Sequence, residues 1–415
     1  MRIGGDHRRN PTRGFLDVLR VREFRWLWFA DLQSLIGDQL SRVALSVLVF
    51  NQTGSGLLTA AVYALTYLPA VLGSVLLGSL ADRIPRRALL VGGDLVRAVL
   101  LGVMAVPAVP IGAMAALLVV AVVVGTPWKA AEMALVADIL DAEGYAIGTG
   151  LRMATVQGAQ LLGFAVGGIA VASIGSRTAL AVDAGSFLLS ALMINLRVQR
   201  RPAPAKGRNE SWSDGVRVIA GDRRLHSLIG LSWLSGVLVI PEGLAAPYAA
   251  HLGGGAAATG VLLAAGPAGV LVGSLLYVRL LPDHLRARLV APLAIVAGLP
   301  LVGCVVDPGL AATCVLWALS GAGTAYQVQI ITEFVQTVPV SRRGQGISVA
   351  SAGLLAVQGV GLVLGGLATT FWAPPTVVFA AGGAAIVLAT LLGAARSSAH
   401  RTPTRVAVSQ LSALR

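Results

Sequence analysis

The chain has 415 residues, of which 56% are hydrophobic and 12% charged, with mean hydropathy +0.79. That balance excludes an ordinary water-soluble domain and makes a lipid bilayer the expected solvent. The formal net charge of +13 would suit a nucleic-acid binder, but the basic residues fall in alternate loops rather than in one patch, so nucleic acid is not expected as a partner.

Residues 1–23 form a basic segment that includes Arg2, Arg8, Arg9, Arg13, Arg20 and Arg22. No small-residue cleavage site follows it, and the next apolar run is too long for a signal-peptide core, so that run is read as a retained first helix. Apolar stretches close to the ~20 residues needed to cross hydrocarbon predict spans near 24–50, 57–80, 87–107, 111–137, 146–172 and 177–197. Residues 198–224 have a linker's composition, with a short amphipathic helix expected around Trp212 to Ile219. A second set of spans is expected near 225–250, 256–281, 286–306, 309–337, 345–371 and 375–395, followed by a tail at 396–415. The expected fold is an all-α membrane protein of twelve transmembrane helices, arranged as six-helix bundles at 24–197 and 225–395.

Twelve crossings would place most of the 32 basic residues on one face, in groups at 2–25, 83–87, 197–224, 279–288, 342–343 and 396–415. The turns near Asn51 to Gly56, Pro107 to Pro110, Asp307 to Gly309 and Trp372 to Thr376 contain no Lys or Arg. By the positive-inside rule both termini are expected to be cytoplasmic, in a multi-pass plasma-membrane protein.

The two halves repeat. An offset of 198 residues maps Gly125, Gly148, Gly163, Gly167, Gly168 and Gly185 onto Gly323, Gly346, Gly361, Gly365, Gly366 and Gly383, and maps Gln160 onto Gln358. Parallel six-span repeats are the architecture of transporters that bind substrate between their halves.

Between the second and third spans stands Gly78-Ser-Leu80-Ala-Asp82-Arg83-Ile-Pro85-Arg86-Arg87. This string resembles the loop signature of the major facilitator superfamily, with Pro85 where that family usually has glycine. The resemblance implies that Gly78, Asp82, Arg83, Arg86 and Arg87 form a cytoplasmic gate motif, a charge-relay latch that meets the opposite half. The strings Ser34-Leu-Ile-Gly37-Asp38, Asp94-Leu-Val-Arg97, Val182-Asp183-Ala-Gly-Ser186-Phe187 and Pro241-Glu242-Gly-Leu-Ala-Ala-Pro247-Tyr248 further resemble a bacterial exporter branch with siderophore and macrolide efflux proteins. In the fifth span, Gly163-Phe164-Ala-Val-Gly167-Gly168 resembles part of the family's antiporter motif, with Phe164 replacing a proline. Its spacing, repeated by Gly361, Gly365 and Gly366, also suits close helix packing.

Ionisable residues inside spans are expensive and mark function. Asp38 and Arg42, four residues apart near mid-bilayer, form either a neutral pair on one helix face or a proton or substrate site; Asp31 extends their stripe. Lys129 and Glu132, three apart, are expected to neutralise each other, the alternative being service to an anionic substrate together with Arg152. Asp94 and Arg97 are expected to pair beside the gate, and Asp183 to fix the sixth helix. Glu242 and Glu333 have no basic residue three or four positions away, which makes them the candidate proton carriers, or else neutral hydrogen-bonded carboxyls. Trp233, Tyr248, Tyr326 and Gln327, with Lys129, are candidate cavity-lining residues.

No P-loop is present, and His7, His226, His251, His284 and His400 are scattered. No enzymatic activity, catalytic residue, metal or cofactor is therefore expected. Cys304 and Cys314 flank a predicted turn and are read as two small apolar residues, although spacing alone leaves a disulfide open. The function expected is proton-coupled export of a small amphipathic or lipophilic compound by a monomer. The competing readings are an importer of a polar or anionic metabolite and a membrane sensor that moves nothing.

Overall fold

The computed structural model describes residues 14–77, 80, 83–202, 216–217, 219–339 and 342–401. After a short α1 (Phe15–Arg20), the first half consists of α2 (Arg22–Thr53), α3 (Gly56–Ala64) with α4 (Leu68–Leu77), α5 (Arg86–Ala105), α6 (Ile111–Ile139), α7 (Ala142–Ile174) and α8 (Ser176–Arg197). The second half begins with a pass broken into α9 (Arg223–Trp233), α10 (Ser235–Leu238), α11 (Ile240–Gly243) and α12 (Ala245–His251). It continues with α13 (Ala256–Leu280), α14 (Asp283–Val302), the pair α15 (Leu310–Gly323) and α16 (Tyr326–Thr337), α17 (Arg343–Ala368) and α18 (Pro374–Arg401).

Ten stretches of the described residues are long and apolar enough to cross a membrane. The other two of the twelve passes are α2, made more polar by Asp31, Asp38, Gln39 and Arg42, and the broken pair α15–α16. Helix ends follow local chemistry. Gly54 closes α2 at φ 62°, a left-handed conformation that costs glycine little, and the chain reverses between α7 and α8 through Gly175 at φ 80°. Pro241 and Pro247 remove two backbone donors from the seventh pass, where the helix is interrupted.

In the first half α2 packs on α7 and α8, and α5 on α6 and α8; in the second, α13 packs on α15 and α14 on α18. The halves meet where α7 lies against α13 and where α17 lies against α3 and α4. One apolar core runs through both halves at the Arg-poor end, joining Val43, Ala60, Tyr63 and Phe164 to Leu244, Tyr248, Leu262 and Leu362. At the Arg-rich end the cores are separate: Phe24, Leu27, Leu90 and Leu135 in the first half, Leu225, Leu228, Phe334 and Ala389 in the second. Large apolar side chains such as Leu72, Leu76, Val99, Ile169, Leu192, Leu275 and Leu391 cover the outside, as a lipid-facing surface requires. Cys304 and Cys314 are both free thiols.

Two expectations change here. Residue 396, assigned to the tail, belongs to α18, which runs on to Arg401. The short helix expected around Trp212 to Ile219 lies mostly outside the described residues.

Candidate transport site

The seam between the halves is closed at the Arg-poor end by backbone contact. Gly168 of α7 and Gly260 of α13 touch so closely that a methyl group at Gly168 would lie 2.6 Å from the Gly260 Cα. Gly366 of α17 packs on Ala60 and Leu57 of α3 in the same way. Next to this closure Glu242, from the second half, accepts hydrogen bonds from Tyr63 Oη (3.0 Å) and Tyr67 Oη (3.5 Å) of the first. The Arg42 guanidinium sits 5.3 Å from the Tyr67 ring centre and 6.0 Å from that of Tyr63. Two tyrosines therefore separate an Arg from a Glu across the seam.

Below this layer the first half opens into a cavity of about 330 Å³, bordered by Asp38, Ser41, Arg42, Tyr67, Arg97, Lys129 and Asp183, with Ser348, Ser351 and Leu355 of α17 on the far side. Asp38 takes two hydrogen bonds from Arg97 Nη2, at 2.8 and 3.1 Å, and the guanidinium lies 3.8 Å from the Phe187 ring centre. Asp183 accepts from Ser41 (2.5 Å) and Ser186 (3.0 Å). Lys129 makes no ion pair within 4.0 Å among the described residues. The cavity wall thus carries three cations (Arg42, Arg97, Lys129) against two carboxylates (Asp38, Asp183).

A second cavity of about 320 Å³ lies at the seam towards the second half. Gln160 of α7 and Gln358 of α17, the repeat-related pair, both border it, with Glu242, Gln327, Trp317 and an apolar wall that includes Leu238, Leu262, Leu263 and Val270.

The structure re-pairs several of the expected ion pairs. Asp38 bonds to Arg97 and not to Arg42, because α5 brings its guanidinium across to α2. Asp94 is buried and accepts from Ser190 at 2.6 Å instead of holding Arg97. Glu132 pairs with Arg152 at 2.7 Å, leaving Lys129 to the cavity. Glu333 has a partner that its own helix could not reveal: Arg396 of α18 donates to both its oxygens, at 2.8 and 2.9 Å, with both residues buried. It is therefore an ion-paired residue of the second-half core and not a free acid.

Of the residues expected to line a cavity, Lys129 and Gln327 do so. Trp233 instead donates to the Ala350 carbonyl at 3.1 Å, Tyr248 is enclosed against Trp317, and Tyr326 is buried and donates to the Leu231 carbonyl at 3.1 Å. Among the packing glycines, Gly163 lies on Gln39, Gly167 on Leu40, Gly361 on Gly236 and Gly365 on Ile240. The sequence does not single out Tyr63 and Tyr67, which lie at the end of α3 and in the turn before α4; in an expected continuous helix their four-residue spacing would be the readable signal.

At the Arg-rich end, Gly78 and Asp82 lie outside the described residues. Arg83 is exposed, Arg86 binds Asp138 and the Ala134 carbonyl (3.0 Å) of α6, and Arg87 binds Asn195 of α8. Both of the latter arginines are thus engaged within their own half. Glu23 is held by Arg201 (2.6 and 2.9 Å) and by the Gln199 N–H (2.9 Å). Burial opposes its ionisation, but these hydrogen bonds outweigh it and keep the carboxyl below its usual range.

A two-bundle helical frame, closed at one end over polar cavities on the seam, defines a transporter class of membrane protein. The Major Facilitator Superfamily model matches residues 27–241, and the chain belongs to that superfamily. An uncharacterised MFS-type transporter, YkuC of Bacillus subtilis (strain 168), is 27% identical over 233 residues, which cover 52% of this chain and 53% of that relative. The match thus spans about half the length of the relative. Among solved structures, a POT family transporter in complex with 5-aminolevulinic acid is similar at TM-score 0.75 and 12% identity, covering 94% of this chain and 98% of that one. A bacterial homologue of the human lysosomal transporter Spinster, inward-facing and occupied, gives 0.71 and 16%, over 92% and 97%. A mutant of the nucleoside transporter NupG gives 0.72 and 15%, over 91% and 99%.

Proposed function

We propose that this chain is a proton-coupled secondary transporter of the plasma membrane that exports a small amphipathic compound by alternating access, with both termini cytoplasmic. The observation that carries the reading is Glu242. It borders the apolar second cavity, belongs to one half and is held by two tyrosines of the other. Protonating it removes the charge that the two hydroxyls bind and loosens the seam, so proton binding and opening of the closed end are linked. The apolar walls beside it suit a lipophilic cargo. The Arg-rich loops fix the orientation, and the residues 24–197 and 225–395 act as the two rocking units.

The test is energised membrane vesicles loaded with a panel of cationic, neutral and anionic amphipathic dyes. Export driven by an imposed pH gradient is expected from the wild type, with Glu242→Gln losing the gradient dependence. Equal dye retention with and without the protein sinks the reading.

Lys129 favours a second reading, import of an anionic metabolite, since an ammonium without an ion-pair partner among the described residues, in a cavity with surplus positive charge, attracts anions. Saturable inward uptake of organic anions by proteoliposomes, with no outward dye movement, would select it.

A further inference from the structure

An ionic cluster lies away from both cavities, between α2, α6 and α7. Arg152 donates from Nε to Glu132 Oε1 at 2.9 Å, and its Nη2 lies 2.7 Å from Oε2 without a hydrogen bond to that oxygen, so the cation sits closest to Glu132. Asp31 Oδ2 stands 3.6 Å from the same Nε, beyond hydrogen-bond distance. That oxygen has no hydrogen-bond partner among the described residues, while Asp31 is only 3% exposed and Glu132 only 2%. Two buried acids thus share one cation. The remaining charged groups facing Asp31 are Asp38, which is already paired with Arg97, and Lys129, which opens into the central cavity. With both acids ionised, the cluster holds one negative charge in surplus where solvent cannot screen it.

The cluster borders a small cavity of about 80 Å³, whose other polar residues include Trp28, Tyr145 and Thr149. Trp28 is already engaged, donating to Thr155 at 2.8 Å. The space is polar on one side and large enough for a water molecule. It shares no bordering residue with the central cavity.

We propose that Asp31, Glu132 and Arg152 form a proton-binding site, loaded at Asp31 Oδ2 and distinct from the cavity that holds substrate. The inference rests on the proton-coupled reading above. A proton passes from water in the small cavity to Oδ2; the new O–H neutralises the surplus charge, and Arg152 stays on Glu132. When the proton leaves, the guanidinium is pulled towards both carboxylates, and α2 is tied more tightly to α7. Since α7 is the helix whose Gly168 touches Gly260 of the other half, loading this site changes the strength with which the first bundle holds its seam helix.

Infrared difference spectroscopy of the full chain in detergent, titrated with acid and with K⁺ as the metal cation present, tests the site without any substrate. The wild type is expected to show a protonated-carboxyl C=O band that Asp31→Asn removes and Glu242→Gln keeps. A band that survives in Asp31→Asn overturns the assignment. So does a band abolished at constant pH when Na⁺ replaces K⁺, which marks a metal-cation site. Should Asp31→Asn fail to fold, Asp31→Glu decides: the band shifts in frequency if the proton sits at this position, and an unshifted band rejects it. A missing wild-type band sinks this site and leaves transport untouched, whereas absence of pH-driven export sinks the coupled reading with the band intact.

Discussion

Lys129 and Glu132 stand one helical turn apart on α6 and serve different sites: Glu132 is bound at 2.7 Å by Arg152 of α7, and Lys129 opens into the central cavity without an ion-pair partner among the described residues. The first site is a buried cluster in which Glu132 and Asp31 share one arginine. The second is left with a cation aimed at whatever enters.

Removing that cation should therefore act on binding and not on folding. Lys129→Gln is expected to weaken the affinity for anionic amphiphiles by about 10- to 100-fold, the value of one charge-assisted hydrogen bond at ~1.5–3 kcal/mol, and to leave neutral analogues within about twofold. Competition binding in detergent across a matched anionic and neutral series checks this. Equal losses for both would assign Lys129 to structure.

The Glu333–Arg396 pair should behave as a structural tie. Arg396→Ala leaves the buried Glu333 with only Arg224, at 3.9 Å, and the Gln329 amide, at 3.0 Å, and the expected loss of stability is ~3 kcal/mol. The double variant Glu333→Leu with Arg396→Met should recover most of it, because neither charge then remains. Thermal unfolding in detergent distinguishes this from a proton-carrier role, in which the double variant would fold well but lose pH-driven flux.

Gly168→Leu should prevent the closed seam from forming. Its side chain would meet the Gly260 backbone, which has no flexible atoms to move aside, so the protein is expected to shift towards states parted at the Arg-poor end. Spin labels on α7 and α13, with Cys304 and Cys314 first replaced by Ser, should report a longer distance than in the glycine-containing parent. An unchanged distance would contradict the close contact.

The Glu23 carboxyl, held below its usual range by Arg201 and the Gln199 N–H, predicts a pH dependence with a definite sign. Its folded-state pKa is depressed, so its contribution is present in full above the unfolded value near ~4.3 and is lost as pH falls through the folded value. Glu23→Gln should lower the melting temperature at neutral pH by the equivalent of about 1 kcal/mol and make no difference in strong acid. A penalty that persists in acid would rule out the ionised carboxylate as its source.

The frame was readable because its causes are local. Apolar run length marks the passes, and within the 198-residue glycine repeat Gly163, Gly168, Gly361, Gly365 and Gly366 mark places where helices approach too closely for a side chain, whereas Gly185 and Gly383 meet nothing within 4 Å. The ionic partners were not readable, because spacing of three or four residues compares neighbours on one helix. Asp38 lies four residues from Arg42, yet α5 delivers Arg97 to it; Glu333 takes Arg396 from α18. Arg396 was misplaced for a related reason: the apolar run stops before it, but the helix does not, and a buried carboxylate gives the arginine cause to stay inside. Tyr63 and Tyr67 carry no charge to mark them in the sequence, although they supply the donors that cross the seam.

Gly168 and Gly260 join the halves without side chains. Surfaces joined by interlocked side chains must withdraw knobs from holes before they part, and each withdrawal exposes apolar area. Two bare backbones have almost nothing to withdraw. At this one contact the halves therefore meet at a smooth bearing, and what resists their parting is the shared apolar core around it and the polar bridge from Glu242 to its two tyrosines.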